Sequence, residues 1–409
     1  MTRLEISDAA VADAIAAEAG YMEELLARLV EAPTLLGNEE PGQELMREAF
    51  RELGLEPADV PLDADALRAH PAASPFSWDV SGKANVITTW GSGGGRSLIL
   101  NGHVDVVPPA AESLWRTAPF RATRDGDWLF GRGAGDMKAG LAAIVGAVRG
   151  LDRAGLRPNA PVQLQSVVEE ECTGNGTLQC VLSGPAADAA IVAEPFPGAI
   201  TTSQVGVLWF RVEIAGVPAH VGEAASGANA IEAAYPIIEA LRALEVELNE
   251  HPPAPYDQVE HPIHLNVGTI AGGDWPSTVA AECAFTCRLA LYPGQRVEEL
   301  KQRIEAAVAG DAHVVYAGLA CEGTHLPADS PLVQTLGHAY ERLEGGPPVL
   351  LASTATTDAR AFLGGGIPAV CFGPHAENIH GVDERVSIPS MIRTAQVLGL
   401  FIREWCGLS

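Results

Sequence analysis

The chain has 409 residues, 47% of them hydrophobic and 19% charged, with a formal net charge of −26. That length predicts a full hydrophobic core and two or three domains. The charge excludes nucleic acid and anionic lipid as partners, favours cations, and no run of about 18 apolar residues offers a membrane span.

The seven cysteines, Cys172, Cys180, Cys283, Cys287, Cys321, Cys371 and Cys406, are odd in number and form no C-x-x-C pair. That pattern predicts free thiols in a reducing compartment. The N-terminal stretch is acidic with helical spacing and lacks the continuous apolar stretch of a secretory leader. A cytoplasmic protein is expected.

In chain order, residues 10–30 carry apolar positions at helical spacing, and a second helix is expected over 42–53. Residues 61–83, rich in Ala, Pro and Ser, read as a surface loop. Strands follow at 85–90 and 97–100. The second ends in Asn101-Gly102 and presents His103 and Asp105. Residues two apart in extended chain point the same way, so Asp105 can hold one ring nitrogen of His103 while the other binds a ligand. The alternative is a capped strand end with a surface His-Asp pair. A glycine-dense loop, GRGAGDMKAG over 131–140, precedes a helix at 137–153. A strand at 161–168 runs into Glu169-Glu170-Glu171, a short helix covers 176–182, and a strand at 189–193 ends at Glu194.

Near residue 205 the rhythm changes. Strands at 205–214, 264–270, 280–291 and 312–316 alternate with helices at 229–248 and 297–308. The order β-α-β-β-α-β describes a small open-faced sandwich inserted into an α/β protein, because strand-helix alternation resumes with a helix at 331–343 and a strand at 369–372. A C-terminal helix over 389–405 closes the chain, with Ser387 as its cap. The expected domains are 1–204 and 321–409 as two parts of one unit, with 205–320 inserted.

The ionisable residues gather on this map. In α/β sheets, ligands sit beyond the carboxyl ends of the strands. His103, Asp105, Glu169–Glu171, Glu194, His375 and His380 all follow strands, and Asp136 opens a helix. Each acid alone reads as a solvated surface residue. Together, four or more carboxylates on one rim repel each other unless cations are present. The donors are nitrogen and oxygen without sulfur, which suits zinc, cobalt or manganese in a working site more than a structural zinc. Asp136, in the most constrained backbone, is the candidate bridge between two ions. The chain lacks G-x-S-x-G, H-E-x-x-H and G-x-x-x-x-G-K-[ST], which disfavours a serine hydrolase, a zincin and a nucleotide-binding enzyme.

Eight stretches carry a resemblance: NGHVDVVP (101–108), W-x-x-x-PF (115–120), GRGAGDMKAG (131–140), EEECTGNGT (169–177), VAEP (192–195), GVPAHVG (216–222), TDAR (357–360) and HGVDERV (380–386). In order and spacing the chain resembles the metal-dependent aminoacylase family of acetylornithine deacetylase, succinyl-diaminopimelate desuccinylase and carboxypeptidase G. The resemblance implies a zinc-peptidase-like α/β sandwich with a ferredoxin-like lid and dimerisation domain. It implies two divalent ions, zinc first, with cobalt or manganese as substitutes. One would be held by His103, Asp136 and Glu194, the other by Asp136, Glu171 and His380. Asp105 would orient His103, and Glu170 would be the general base.

The resemblance further implies that His220 reaches the partner subunit's site in a homodimer, and that Arg288 pairs with the substrate carboxylate. Thr357 and Arg360 would line the pocket. Asn229 would touch substrate, with helix capping an adequate alternative. His375 would stand behind the ligands or in the pocket wall, and a non-proline cis peptide is implied at Asp136-Met137. Relatives carry Asn-Val-Ile-Pro where this chain has Trp275-Pro276-Ser277-Thr278-Val279, so the substrate side chain is left open. The implied activity is hydrolysis of an N-acyl amino acid amide. The alternatives are a dipeptidase or carboxypeptidase of the same family and a non-catalytic metal- or ligand-binding protein.

Overall fold

A computed structural model describes residues 7–184, 186–308, 310 and 312–408. The first six residues of the acidic N-terminal pattern lie outside this range.

The main sheet is mixed and nine-stranded. Four buried parallel strands form its centre, in the order Val162–Val167, Leu98–His103, Ala190–Val192 and Ala369–Cys371. Strands buried on both faces read as continuous apolar runs, and Ser-Leu-Ile-Leu leading to His103 is one of these. Antiparallel strands Ala58–Pro61 and Ala84–Trp90 extend one side. Ala199–Gln204, with Thr324–His325 and Val349–Ser353 beside it, extends the other.

Helices Ala139–Arg153 and Ile388–Cys406 pack on each other and on Leu98–His103. A Cβ on Gly140 would sit 2.1 Å from the Ala193 carbonyl oxygen. Only glycine lets this helix approach so near the end of the strand that delivers Glu194.

A second sheet, antiparallel and four-stranded, has the order Leu265–Gly272, Glu282–Leu291, Gly206–Ala215, Ala312–Cys321. Helices Ala230–Leu248 and Val297–Ala307 pack on it, and it has its own core around Phe210, Leu241, Phe285, Leu289 and Ile304. This is the β-α-β-β-α-β unit that the periodicity predicts.

Several expectations need correction. The pattern over 10–30 is two helices, Asp8–Ala16 and Ala19–Glu31. Between them the buried Glu18 carboxylate accepts from Arg149 at 2.7 Å and Arg153 at 3.1 Å. The expected loop over 61–83 contains helix Ala64–Ala69, capped by the Asp63 side chain. Strands Ala199–Gln204 and Val349–Ser353 went unread, since AITTSQ has no clear alternation and VLLAS is short and flanked by polar residues.

A third small sheet joins Ala376–Glu377, Arg385–Ser387, Trp128–Phe130 and Thr123–Asp125. Strands of two or three residues leave no periodic signal. This sheet matters for the site, because it brings the C-terminal segment bearing His380 alongside the glycine loop bearing Asp136.

Candidate metal centre

Strand register builds the site. His103 stands opposite Val167 and Asn101 opposite Val192. Two residues beyond Val192, Glu194 is therefore level with His103. Three and four residues beyond Val167 come Glu170 and Glu171. His103 Nε2 lies 3.2 Å from Asp136 Oδ1, 3.7 Å from Glu194 Oε1 and 4.0 Å from Glu170 Oε2. On the other side, His380 Nε2 lies 3.4 Å from Asp136 Oδ2 and 3.1 Å from Glu171 Oε2. The two oxygens of Asp136 thus face different histidines. His103, Glu170 and Glu194 offer ligand atoms all within 4.8 Å of one another, as do His103, Asp136 and Glu171.

Local backbone sets these positions. Gly133 adopts φ 78°, available to glycine at no steric cost, just before Asp136. The Asp136-Met137 peptide is cis, as the resemblance implies. Glu169 and His380 are left-handed non-glycine residues (φ 64° and 62°), each next to or within the ligand set.

Asp105 differs from expectation in its contacts. His103 Nδ1 lies 2.9 Å from the Asp105 main-chain carbonyl and 3.7 Å from its carboxylate. The carboxylate instead accepts the backbone N–H groups of Glu170 at 3.3 Å and Glu171 at 3.1 Å. Asp105 therefore fixes the histidine through its main chain and the glutamate pair through its side chain.

The buried carboxylates favour positive charge beside them. Burial pushes Glu170 and Glu194 well above the usual carboxylate range and Asp105 up to about 7. Burial opposes a charged His103, but its hydrogen bond to Asp136 and the surrounding Glu194 and Glu170 carboxylates raise it well above an ordinary histidine. His380 is likewise opposed by burial, yet Glu171 and Asp136 lift it to about 11. The carboxylates thus favour cationic histidines. A nitrogen-and-oxygen donor set around one two-faced carboxylate fits a pair of divalent ions, which would replace those protons.

Three supporting groups have no role assigned from the sequence. Glu384, fully buried, pairs with buried Arg132 and accepts from the main-chain nitrogens of Gly133 at 3.1 Å, Gly135 at 2.9 Å and Asp136 at 3.0 Å. Glu169 accepts from Trp78 Nε1 at 2.7 Å, Lys83 Nζ at 2.8 Å and Thr173 Oγ1 at 2.9 Å. Asp358 is buried and takes the Thr177 hydroxyl at 2.6 Å. The available signal for Glu384 was its place in HGVDERV, four residues after His380.

Thr357 and Arg360 aside, the remaining candidates lie apart from one another. Thr357 and Arg360 are buried beneath Glu170, with Arg360 Nη1 donating to Thr357 O at 2.8 Å and lying 3.9 Å from Glu170 Oε1. Their polar atoms are engaged by the protein, and beyond Arg360 a cavity of about 910 Å³ opens towards Arg296 and Lys301 of the second sheet's unit. Arg288 Nη2 donates to Thr354 O at 3.4 Å. Asn229 caps helix Ala230–Leu248 through Ile231 N at 3.0 Å. His220 is exposed and its contacts are local, to Gly222 N and the Thr278 backbone. His375 packs edge-on to Trp128, ring centroids 5.3 Å apart, with Glu377 at 3.8 Å.

The chain is similar to several known proteins. The N-formyl-4-amino-5-aminomethyl-2-methylpyrimidine deformylase of Halalkalibacterium halodurans is 30% identical over 345 residues, 76% of this chain and 80% of that protein. The succinyl-diaminopimelate desuccinylase of Paracoccus denitrificans is 31% identical over 340 residues, 78% of this chain and 86% of its own length. A di-peptidase structure from Saccharomyces cerevisiae shares the fold, with TM-score 0.80 at 13% identity, covering 98% of each chain. The profile of peptidase family M20/M25/M40 matches residues 99–404, and the chain belongs to that family.

Proposed function

We propose that the chain hydrolyses the amide bond of a small N-acyl amino acid or related N-acylated amine, with two divalent ions held by His103, Asp136, Glu171, Glu194 and His380. As a member of its family the chain is a metal-dependent amide hydrolase. The observation that carries the metal pair is Asp136, whose two oxygens face His103 and His380 at 3.2 and 3.4 Å. We take zinc as the first choice, with cobalt or manganese able to replace it.

When bound, such ions act as Lewis acids and lower the pKa of water from 15.7 towards about 7. Glu170 is the general base. It takes the proton from the attacking water and passes it to the leaving amine. Burial raises its pKa above the ordinary carboxylate range, the direction that makes a carboxylate a stronger base. Glu194 and Glu171 are kept as ligands, since both approach a ligand histidine more closely than Glu170 does. Asp105 holds the Glu170-Glu171 backbone, and Arg360 lies behind Glu170 as a positioning residue. Arg288 pairs with the substrate carboxylate, and His220 from a second subunit stabilises the oxyanion.

A homodimer follows from the same reading, with residues 205–320 as the lid and dimerisation domain between catalytic segments 1–204 and 321–409. Strand Leu265–Gly272 lies at the edge of its sheet, and Ile270, Trp275, Tyr235 and Val246 are exposed apolar side chains of this unit. A second copy of the chain pairing along that edge would cover them. We place the protein in the cytoplasm, where its seven free cysteines stay reduced.

The test is a hydrolysis screen over N-formyl, N-acetyl, N-succinyl and N-carbamoyl amino acids and a set of dipeptides, with zinc, cobalt and manganese. Cleavage of one acyl class supports the proposal. Cleavage of dipeptides alone replaces it with a peptidase, and metal-loaded protein inert on every substrate overturns it.

A further inference from the structure

A second group of ligating side chains lies in the unit built on the four-stranded antiparallel sheet, outside the centre just described. Glu245, His261 and His264 each offer a ligand atom, and these atoms lie within 4.8 Å of one another. Glu245 belongs to helix Ala230–Leu248 and is 7% exposed. His261 and His264 sit on the segment that enters strand Leu265–Gly272, and both are exposed. Their ring centroids are 5.0 Å apart at an interplanar angle of 49°. His261 Nε2 lies 3.2 Å from Glu245 Oε1.

The frame around these three side chains is already fixed. Asn249 Nδ2 donates to Ile263 O at 2.8 Å, and Ile263 N donates back to Asn249 Oδ1 at 3.0 Å. Ile263 itself is fully buried between the two histidines in sequence. Glu245 Oε1 accepts the Leu265 N–H at 2.8 Å, and Glu245 Oε2 takes Arg242 Nη1 at 2.9 Å. Helix and segment are therefore held together on both sides of the histidines, and the carboxylate cannot swing away. Oε1 has two acceptor directions. One is used by Leu265, and the other faces the His261 ring nitrogen.

We propose that Glu245, His261 and His264 hold a third cation, a zinc-type divalent ion, which staples the end of this helix to the outer strand of its sheet. Two imidazoles with one carboxylate select zinc, nickel, copper or cobalt over magnesium and calcium, which take oxygen. Three protein ligands leave one position to water, as in other open zinc sites. Binding would place the ion between His261 Nε2 and Glu245 Oε1, with the ring proton of the neutral imidazole carried on Nδ1. The net charge of −26 raises the local concentration of cations at such an exposed site.

The test uses the full chain at neutral pH. Wild type and H261N/H264N are equilibrated with zinc, dialysed, and their metal counted by mass spectrometry. The expected result is one zinc per chain fewer in the variant, with amide hydrolysis unchanged. Equal zinc in both proteins overturns the proposal. A readout on wild type alone guards against a variant that folds poorly. Diethylpyrocarbonate modification of His261 and His264, read by peptide mass, should be lost when zinc is added and return with chelator. Exposed His313 and His325 should be modified throughout, and magnesium should protect nothing. Equal modification of His261 and His264 with and without zinc overturns the proposal.

Discussion

The main-chain nitrogen of Asp136 donates to Glu384 Oε1 across 3.0 Å, joining residues 248 apart in sequence. The same carboxylate takes two further glycine-loop N–H groups and the buried Arg132. It holds the backbone of the two-faced ligand from below. Glu384→Ala would strand a buried guanidinium and three donors. The expected loss is about 3–5 kcal/mol of stability, as for other broken buried pairs, read by urea unfolding. The metal count should fall as well. A variant as stable as wild type with full metal content would show that the clamp is idle.

Glu170→Ala should lower kcat by about 10²–10⁴-fold, the usual cost of removing a general base. Its metal content should stay that of wild type, because the ligand set is intact. Loss of metal together with activity would mark Glu170 as a ligand.

His380→Ala should remove one ligand from the outer ion while leaving His103 and Glu194 in place. The expected outcome is loss of about one metal per chain on dialysis, with affinity for that ion down about 10–100-fold or more, since even supporting groups cost that much. Unchanged stoichiometry and affinity would reject it as a ligand.

Mixing Glu170→Ala with His220→Ala tests the contribution from a second subunit. Each variant alone should be impaired. If the histidine acts across the dimer, heterodimers contain one intact site, and activity should return after the two are unfolded and refolded together. Absence of any rescue places the whole site within one chain.

Asp8 provides a pH test far from the metals. The hydrogen bond from Arg403 is the main cause that holds its carboxyl below the ordinary range, with help from the Arg403 and Arg342 charges against a burial cost. A carboxylate depressed in the folded state adds stability that is present above the unfolded pKa of about 3.9 and is lost as pH falls through the folded value. The pair is partly exposed, so its worth stays within about 1 kcal/mol. Asp8→Asn should therefore lower Tm slightly at pH 7 and converge with wild type in acid. A difference that grows as pH falls would refute the assignment.

The alternation of strand and helix and the candidate ligands at strand ends were legible because each is a local signal. Val162–Val167, Leu98–His103 and Ala190–Val192 are apolar runs that stop at His103, the glutamate triplet and Glu194. The inserted unit was legible because its helices are long and amphipathic. What stayed hidden was tertiary. Nothing in the spacing of Asp105 says that its side chain serves the backbone of Glu170 and Glu171 while its carbonyl serves His103. Glu384 and Lys83 look like surface charges until their partners are placed. The small sheet around Trp128–Phe130 and Arg385–Ser387 is built of strands too short to announce themselves.

Strand Ala369–Cys371 lies inside the main sheet, hydrogen-bonded to Ala190–Val192 on one side and Ala199–Gln204 on the other. A chain without that strand would leave the edge of Ala190–Val192 open in the middle of its largest layer. His380 follows later in the chain. Closing the middle of the main sheet and bringing His380 to Asp136 both depend on residues after 368, so completion of the layer and completion of the candidate metal centre are coupled.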